Sequence, residues 1–291
     1  MQAIILAAGE SSRFWPLSEG KHKSLVSVLS KSLLLRTIDS IASAGIRDII
    51  IVQSPSSHIE KSLSAPSGVS LSFAVQPCAR GMGDAILQVK NNISEGFFVV
   101  SPYHINAGDI IKKILEVHKN SKAEIVLVGK KTKNPEIYGI FKIFGGKAAG
   151  IVEKPNIKDA PSDIRAVGVY FFPKQFLACL EAEIPFATLS DLSVKPINDA
   201  HYSFESALEK KLKTNPAELI ITEDVQPTLK YPWDLFAIEK YVMDSFFDSQ
   251  KSILKNQTAV IKNQKSNISE TASIDKTAKI EGAVFIGAGT K

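Results

Sequence analysis

Short β-branched runs alternate with amphipathic segments over about the first 130 residues of this chain, and that alternation constrains the fold more than any other feature. Residues 4–7, 48–52, 70–75, 97–100 and 125–129 have the length and apolar content of buried strands. Between them, residues 33–44, 83–91 and 107–119 repeat apolar side chains at helical spacing, the first run stopping at Gly45. This order predicts an α/β fold: a mixed, mainly parallel sheet with helices on both faces. Such sheets bind ligands beyond the carboxyl ends of their strands.

After Tyr138 the texture changes. Two short runs around Gly145-Gly146 predict a hairpin, residues 166–172 one fully apolar strand, and residues 202–212 and 233–247 two helices. The second helix closes a first domain placed at residues 1–248, followed by a linker at 249–267. Ile268, Ile274, Ile280 and Ile286 then fall six residues apart, the spacing of a left-handed parallel β-helix with one aliphatic side chain at each prism corner. Residues 268–291 supply little more than one coil of three hexads, whereas repeat stacks need about three repeats. The reading therefore expects either a truncated β-helix or one that stacks on a second copy to form a homo-oligomer.

Composition narrows the function classes. With 44% hydrophobic and 22% charged residues, the 291-residue chain can bury a real core, which excludes disordered, collagen-like and coiled-coil classes. A net charge of +5 suits a small anionic ligand but is too dispersed for nucleic acid. Two cysteines a hundred positions apart, Cys78 and Cys179, point to a reducing cytoplasm rather than a disulfide framework. No apolar run reaches the ~18 residues of a membrane span, and the apolar start lacks the basic flank of a signal peptide.

Chemistry begins where the first strand ends. Gly9-Glu10-Ser11-Ser12-Arg13 is a turn of small residues whose N–H groups can cradle phosphate oxygens, with Arg13 and Lys23 as nearby cations. It is neither a Walker A loop nor a Gly-x-Gly-x-x-Gly turn. Trp15 and Trp233 read as packing residues.

The wider string, Leu6-Ala7-Ala8-Gly9-Glu10-Ser11-Ser12-Arg13-Phe14-Trp15-Pro16-Leu17 followed by His22-Lys23-Ser24-Leu25, resembles the opening motif of the sugar-1-phosphate nucleotidylyltransferases. The likeness continues in Gln76-Pro77 with Gly81-Met82-Gly83, in Tyr138-Gly139, in Glu153-Lys154-Pro155 and in Gly168-Val169-Tyr170. The hexad tail is similar to the β-helix that follows the catalytic domain in many members.

This resemblance implies transfer of a nucleoside monophosphate from a nucleoside triphosphate to a sugar 1-phosphate, with loss of pyrophosphate. It implies that Arg13 and Lys23 are catalytic, stabilising the departing pyrophosphate and the α-phosphate. Leu6, Ala8, Gly9, Glu10, Ser11, Ser12, Gln76 and Gly81 would bind the nucleotide, and Gly139, Glu153, Lys154 and Gly168 the sugar phosphate. It also implies Mg²⁺ or Mn²⁺ held by two aspartates. Here the first metal position carries His104, or Tyr103 with a one-residue shift, and the second carries Thr228, while Ala166 replaces an expected asparagine. Imidazole suits Mn²⁺ better than Mg²⁺, so His104 is the candidate ligand. Two further readings stay open: a catalytically silent nucleotide-sugar-binding or regulatory subunit, and an oligomeric scaffold with a vestigial pocket.

Overall fold

The computed structural model describes residues 1–183, 204–225, 227–249, 260–261, 267–275, 277–281 and 284–291. Most of the expected linker, and Tyr202 at the start of one expected helix, lie outside those residues. A ten-stranded sheet is the largest of four among the described residues; the other three have two strands each. Its strands are β1 (Gln2–Ala7), β2 (Asp48–Gln53), β3 (Ser70–Val75), β4 (Phe97–Val100), β5 (Val126–Lys131), β6 (Gly139–Phe144), β7 (Lys147–Glu153), β8 (Ile164–Ala166), β9 (Val169–Phe172) and β10 (Glu218–Ile221).

Spatial order runs β3-β2-β1-β4-β9-β5-β8-β6-β7, with β10 also paired to β5. Strands β3, β2, β1 and β4 are mutually parallel, as the strand–helix alternation predicts. β9 is antiparallel to β4 and β5, and β8, β6 and β7 continue antiparallel. The sheet is therefore mixed.

Alternation along the central strands splits the core in two. Ile4, Val52, Phe97 and Val99 point to one face; Ala3, Ile5, Ile51, Phe98 and Val100 point to the other. Helices α1 (Leu33–Ser43) and α3 (Ala107–Ser121) cover the second face with Leu34, Ile38, Ile41, Ile110, Ile111 and Ile114. The first face is covered by α2 (Met82–Leu87), α4 (Phe176–Glu183) and α5 (Phe204–Thr214). A third cluster packs Phe14, from the loop after β1, against Leu229 and against Ile238 and Val242 of α6 (Asp234–Ser249). That cluster fixes the loop against α6.

Three expectations change. Residues 166–172 are two strands rather than one, broken at Val167-Gly168, where the chain leaves β8 and pairs with β4 in the register Val169↔Val100 to Phe172↔Phe97. An apolar run buried on both faces carries no period to mark that change of partner. The helix expected to residue 91 ends at Leu87, and residues 90–92 form a 3₁₀ turn where Asn91 and Asn92 disfavour continuation. β10, four residues long and parallel to β5, has no counterpart in the sequence reading.

In the tail, Val260–Ile261 pairs in parallel with Lys279–Ile280, and Asn267–Ile268 with Phe285–Ile286. Residues about 18 apart, three hexads, thus lie side by side.

Candidate functional site

At the carboxyl ends of β1 and β4 lies a cavity of about 420 Å³, within the range of small-ligand pockets. Leu6, Ala8 and Gly9 form one wall, Gln76, Gly81 and Met82 another, and Lys23, Tyr103, Gly168 and Tyr170 complete it. Gly9 faces open space, since a Cβ there would meet nothing within 4 Å. Seven of the residues singled out from sequence, Leu6, Ala8, Gly9, Lys23, Gln76, Gly81 and Gly168, meet in this one cavity.

The loop after β1 is shaped by Ser11, which sits in the left-handed region (φ +57°) and starts a 3₁₀ turn at Ser12–Phe14. Its hydroxyl accepts the Lys23 amide at 3.2 Å and its carbonyl accepts the Ser18 hydroxyl at 3.0 Å, so Ser11 joins the loop to the Lys23 turn. Phe14 is fully buried, and the neighbouring Arg13 side chain is left exposed at the loop's outer edge.

Lys23 heads a short turn, Lys23–Leu25, capped by the His22 ring, whose Nδ1 accepts from the Ser24 amide. Its Nζ donates to the Leu229 carbonyl at 2.7 Å and lies 4.9 Å from the centre of the Tyr103 ring. Burial and then the charge of Arg13 pull its pKa down to about 8; Asp234 opposes and Lys230 adds to the fall. Burial and Lys23 bring His22 down to about 4, leaving that ring neutral.

On the opposite wall Gln76 is buried, and its Nε2 donates to the Gly81 carbonyl at 3.0 Å and to Asp84 Oδ2 at 2.7 Å. Gly81 turns the chain into α2 at φ +102°, a conformation that L side chains rarely adopt. Gly168, at the break between β8 and β9, is required by crowding: a Cβ there would lie 2.3 Å from Ser101 Oγ and 3.1 Å from His104 Nε2.

Next to the cavity, Gly139 of β6 pairs with Glu153 of β7. Lys154 follows in the left-handed region (φ +45°), its amide donating to the Tyr138 carbonyl at 2.9 Å, and its Nζ lies 3.0 Å from Glu153 Oε1. The Tyr138 ring carries two cations, Arg165 Cζ and Lys230 Nζ, each 4.4 Å from its centre. Lys154 and Arg13 both depress the Lys230 pKa, after burial. The Glu153-Lys154 corner and the Arg13 loop therefore share one field.

Not every candidate site residue lines the main cavity. Glu10 does not line the main cavity; it lines a smaller one of about 130 Å³ with His22, Gln53 and His58. Ser11, Ser12, Arg13, Gly139, Glu153 and Lys154 lie outside the main cavity's wall. Trp15 and Trp233 are 71% and 63% exposed, so neither packs in the core, although Trp233 stacks on Tyr231 at 4.8 Å.

His104 is 5% exposed and behind the cavity wall; burial, then Arg165, brings its pKa down to about 3, and its Nδ1 has no hydrogen-bond partner among the described residues. Tyr103, not His104, faces the cavity. Thr228, at the second metal position, lies 3.4 Å from the Tyr138 hydroxyl. A phenol, a threonine hydroxyl and a buried imidazole are not a donor set for Mg²⁺, which prefers carboxylate and water. Among the described residues no cluster of three His, Cys, Asp or Glu side chains could hold a metal ion. Asp84 is committed to Gln76, and Asp109 lines a separate cavity beside Arg36 and Tyr241. The residues present do not fit the metal that the resemblance implies.

The sequence reading offers Lys230 as a substitute for part of the missing positive charge, and does not place Arg165, His22 or Ser101 in the site. Only tertiary pairing brings Arg165, on a three-residue strand, against Tyr138. No helix among the described residues is long and apolar enough to cross a membrane.

Known proteins share the fold and parts of the sequence. The chain is 28% identical over 253 residues to a bifunctional sugar-1-phosphate nucleotidylyltransferase/acetyltransferase of Sulfurisphaera tokodaii, covering 86% of this chain and 57% of that protein. It thus spans little more than half the length of that relative. It is 26% identical over 223 residues to a UTP–glucose-1-phosphate uridylyltransferase of Haloferax volcanii, covering 74% of this chain and 84% of the relative. The fold matches the crystal structure of a UDP-glucose pyrophosphorylase complexed with UDP-glucose at a TM-score of 0.70 and 18% identity, covering 84% of this chain and 98% of that one. A sequence model of the nucleotidyl transferase family matches residues 2–213, from β1 into the last turn of α5, and on that match the chain belongs to the nucleotidyl transferase family.

Proposed function

We propose that the chain transfers a nucleoside monophosphate from a nucleoside triphosphate to a sugar 1-phosphate. The observation that carries this reading is the convergence of the open Gly9 loop, Lys23 and the Gln76–Gly81 wall on one cavity at the strand ends. An oxygen of the sugar phosphate attacks the α-phosphorus, the bond from that phosphorus to the bridging oxygen breaks, and pyrophosphate leaves. A phosphate monoester, with a second pKa of about 6, already carries its nucleophilic charge at neutral pH, so no general base is needed. Positioning and charge neutralisation then dominate the barrier. Lys23 neutralises the α-phosphate; Arg13, at the loop's edge, meets the departing pyrophosphate; Glu153 accepts from sugar hydroxyls, and Lys154 holds the sugar phosphate.

Both Nε2 donors of Gln76 are engaged, which leaves its amide oxygen to meet the base. An acceptor there fits the imide N–H of uracil or thymine and not the unprotonated N3 of cytosine. The names of the relatives point the same way. The test is pyrophosphate release with each nucleoside triphosphate and a panel of sugar 1-phosphates: the reading expects turnover with UTP or dTTP, and silence with every pair rejects it.

The poor donor set at the two metal positions favours a second reading, a nucleotide-sugar-binding subunit without turnover. Binding of a nucleotide sugar in the absence of turnover separates it from the first. For the tail, we infer a β-helix coil from the hexad spacing and the parallel pairs, and self-association through it. A cytoplasmic location belongs to the same proposal, supported by the two free cysteines.

A further inference from the structure

We propose that this site holds the nucleotide's phosphates with the chain's own cations, Arg165 and Lys230 standing where the resemblance places a divalent metal. The proposal rests on the nucleotide reading above. Both metal positions are tied to a cation rather than supplied with a carboxylate. At the first, the Tyr103 ring has Lys23 Nζ 4.9 Å from its centre. At the second, Thr228 lies 3.4 Å from the hydroxyl of Tyr138, and the ring of that tyrosine carries Arg165 and Lys230 at 4.4 Å each.

Arg165 is only 8% exposed, donates to the Ala166 carbonyl at 3.3 Å and is paired with no carboxylate among the described residues. A buried guanidinium without a counter-charge is costly, and an arriving anion relieves that cost. Lys230 Nζ is aimed by the Ile137 carbonyl at 2.8 Å. With Arg13, Lys23 and Lys154, five cations act on this region, against the carboxylates of Glu153, Asp234 and Glu205. Asp234 is further occupied by the backbone N–H groups of Lys230 and Tyr231 at 2.7 and 2.8 Å. A Mg²⁺ site has the opposite sign, with carboxylates awaiting a cation. Here the positive charge is already in place, so it needs no reorganisation when the triphosphate arrives.

The test is calorimetric titration of the full chain with UTP, dTTP, GTP, ATP and CTP in turn, in Mg²⁺ and in EDTA at equal ionic strength. The expected result is binding of at least one triphosphate whose Kd in EDTA stays within about threefold of that in Mg²⁺. For that triphosphate, Arg165→Gln and Lys230→Gln should each raise Kd by about tenfold or more in both buffers, while Arg165→Lys and Lys230→Arg stay within about threefold. Binding that requires Mg²⁺ overturns the proposal and leaves the nucleotide reading standing. Glutamine variants that fold and bind like the parent overturn it as well. Absence of binding to every triphosphate in both buffers overturns the nucleotide reading, and the proposal with it. The buffer comparison needs no variant, so it decides the matter even if a glutamine variant fails to fold.

Discussion

Lys23 ties the most groups together at the residue scale. One ammonium touches the Leu229 carbonyl, the Tyr103 ring and the cavity, under the fields of Arg13 and Lys230. Lys23→Met, which keeps the apolar stem, should lower kcat/KM by about 10²–10³-fold, the usual cost of removing one preorganised charge donor, with little change in melting temperature. Its pKa of about 8 also sets a pH dependence. A bound triphosphate favours the protonated lysine, so affinity is full below that value and lost above it. A plot of log Kd against pH should be flat from 6 to 7 and turn upward near 8, with a limiting slope of about one per proton lost. His22 is neutral throughout, and burial raises the Tyr103 phenol so that it too stays neutral, while Lys230, lowered chiefly by burial, titrates in the same direction. In Lys23→Met the slope above pH 8 should fall by about one, which isothermal titration across pH will check.

At the scale of elements, the Arg13 loop is held by a hydrophobic anchor in addition to the Ser11 hydrogen bonds. Phe14 is fully buried in the cluster with Leu33, Leu229 and Ile238, which joins the loop to α1 and α6. Phe14→Ala should therefore cost about 3–5 kcal/mol, measured by urea unfolding, and weaken nucleotide binding beyond what stability explains because Arg13 loses its mount. The parallel half of the sheet was legible because β1, β2 and β4 are separated by helices with their own period and stop signals. The β8–β9 break was not, since Ala166 to Phe172 is apolar throughout and changes neighbours without changing character. The same gap hid Arg165. Loop motifs located Lys23, Gln76 and Gly81, which sit at strand ends where local sequence fixes position. Arg165 and Lys230 reach Tyr138 only through pairing and packing of distant segments.

For the whole molecule, the large sheet has a two-faced core, and the tail adds two parallel strand pairs between residues 18 or 19 apart in sequence. The self-association proposed above would run through these strands, pairing them with those of a second copy. Light scattering of the full chain is expected to give a dimer or higher oligomer that becomes monomeric when residues 260–291 are removed, with the melting transition of the sheet domain retained. In the function proposed above, the cavity at the ends of β1 and β4 performs reversible nucleotidyl transfer. The most direct measurement is exchange of labelled pyrophosphate into a nucleoside triphosphate. Label should enter the triphosphate only when a sugar 1-phosphate is also present, and entry should fall with Lys23→Met. A triphosphate that binds in the cavity yet takes up no label with any sugar 1-phosphate would contradict the account.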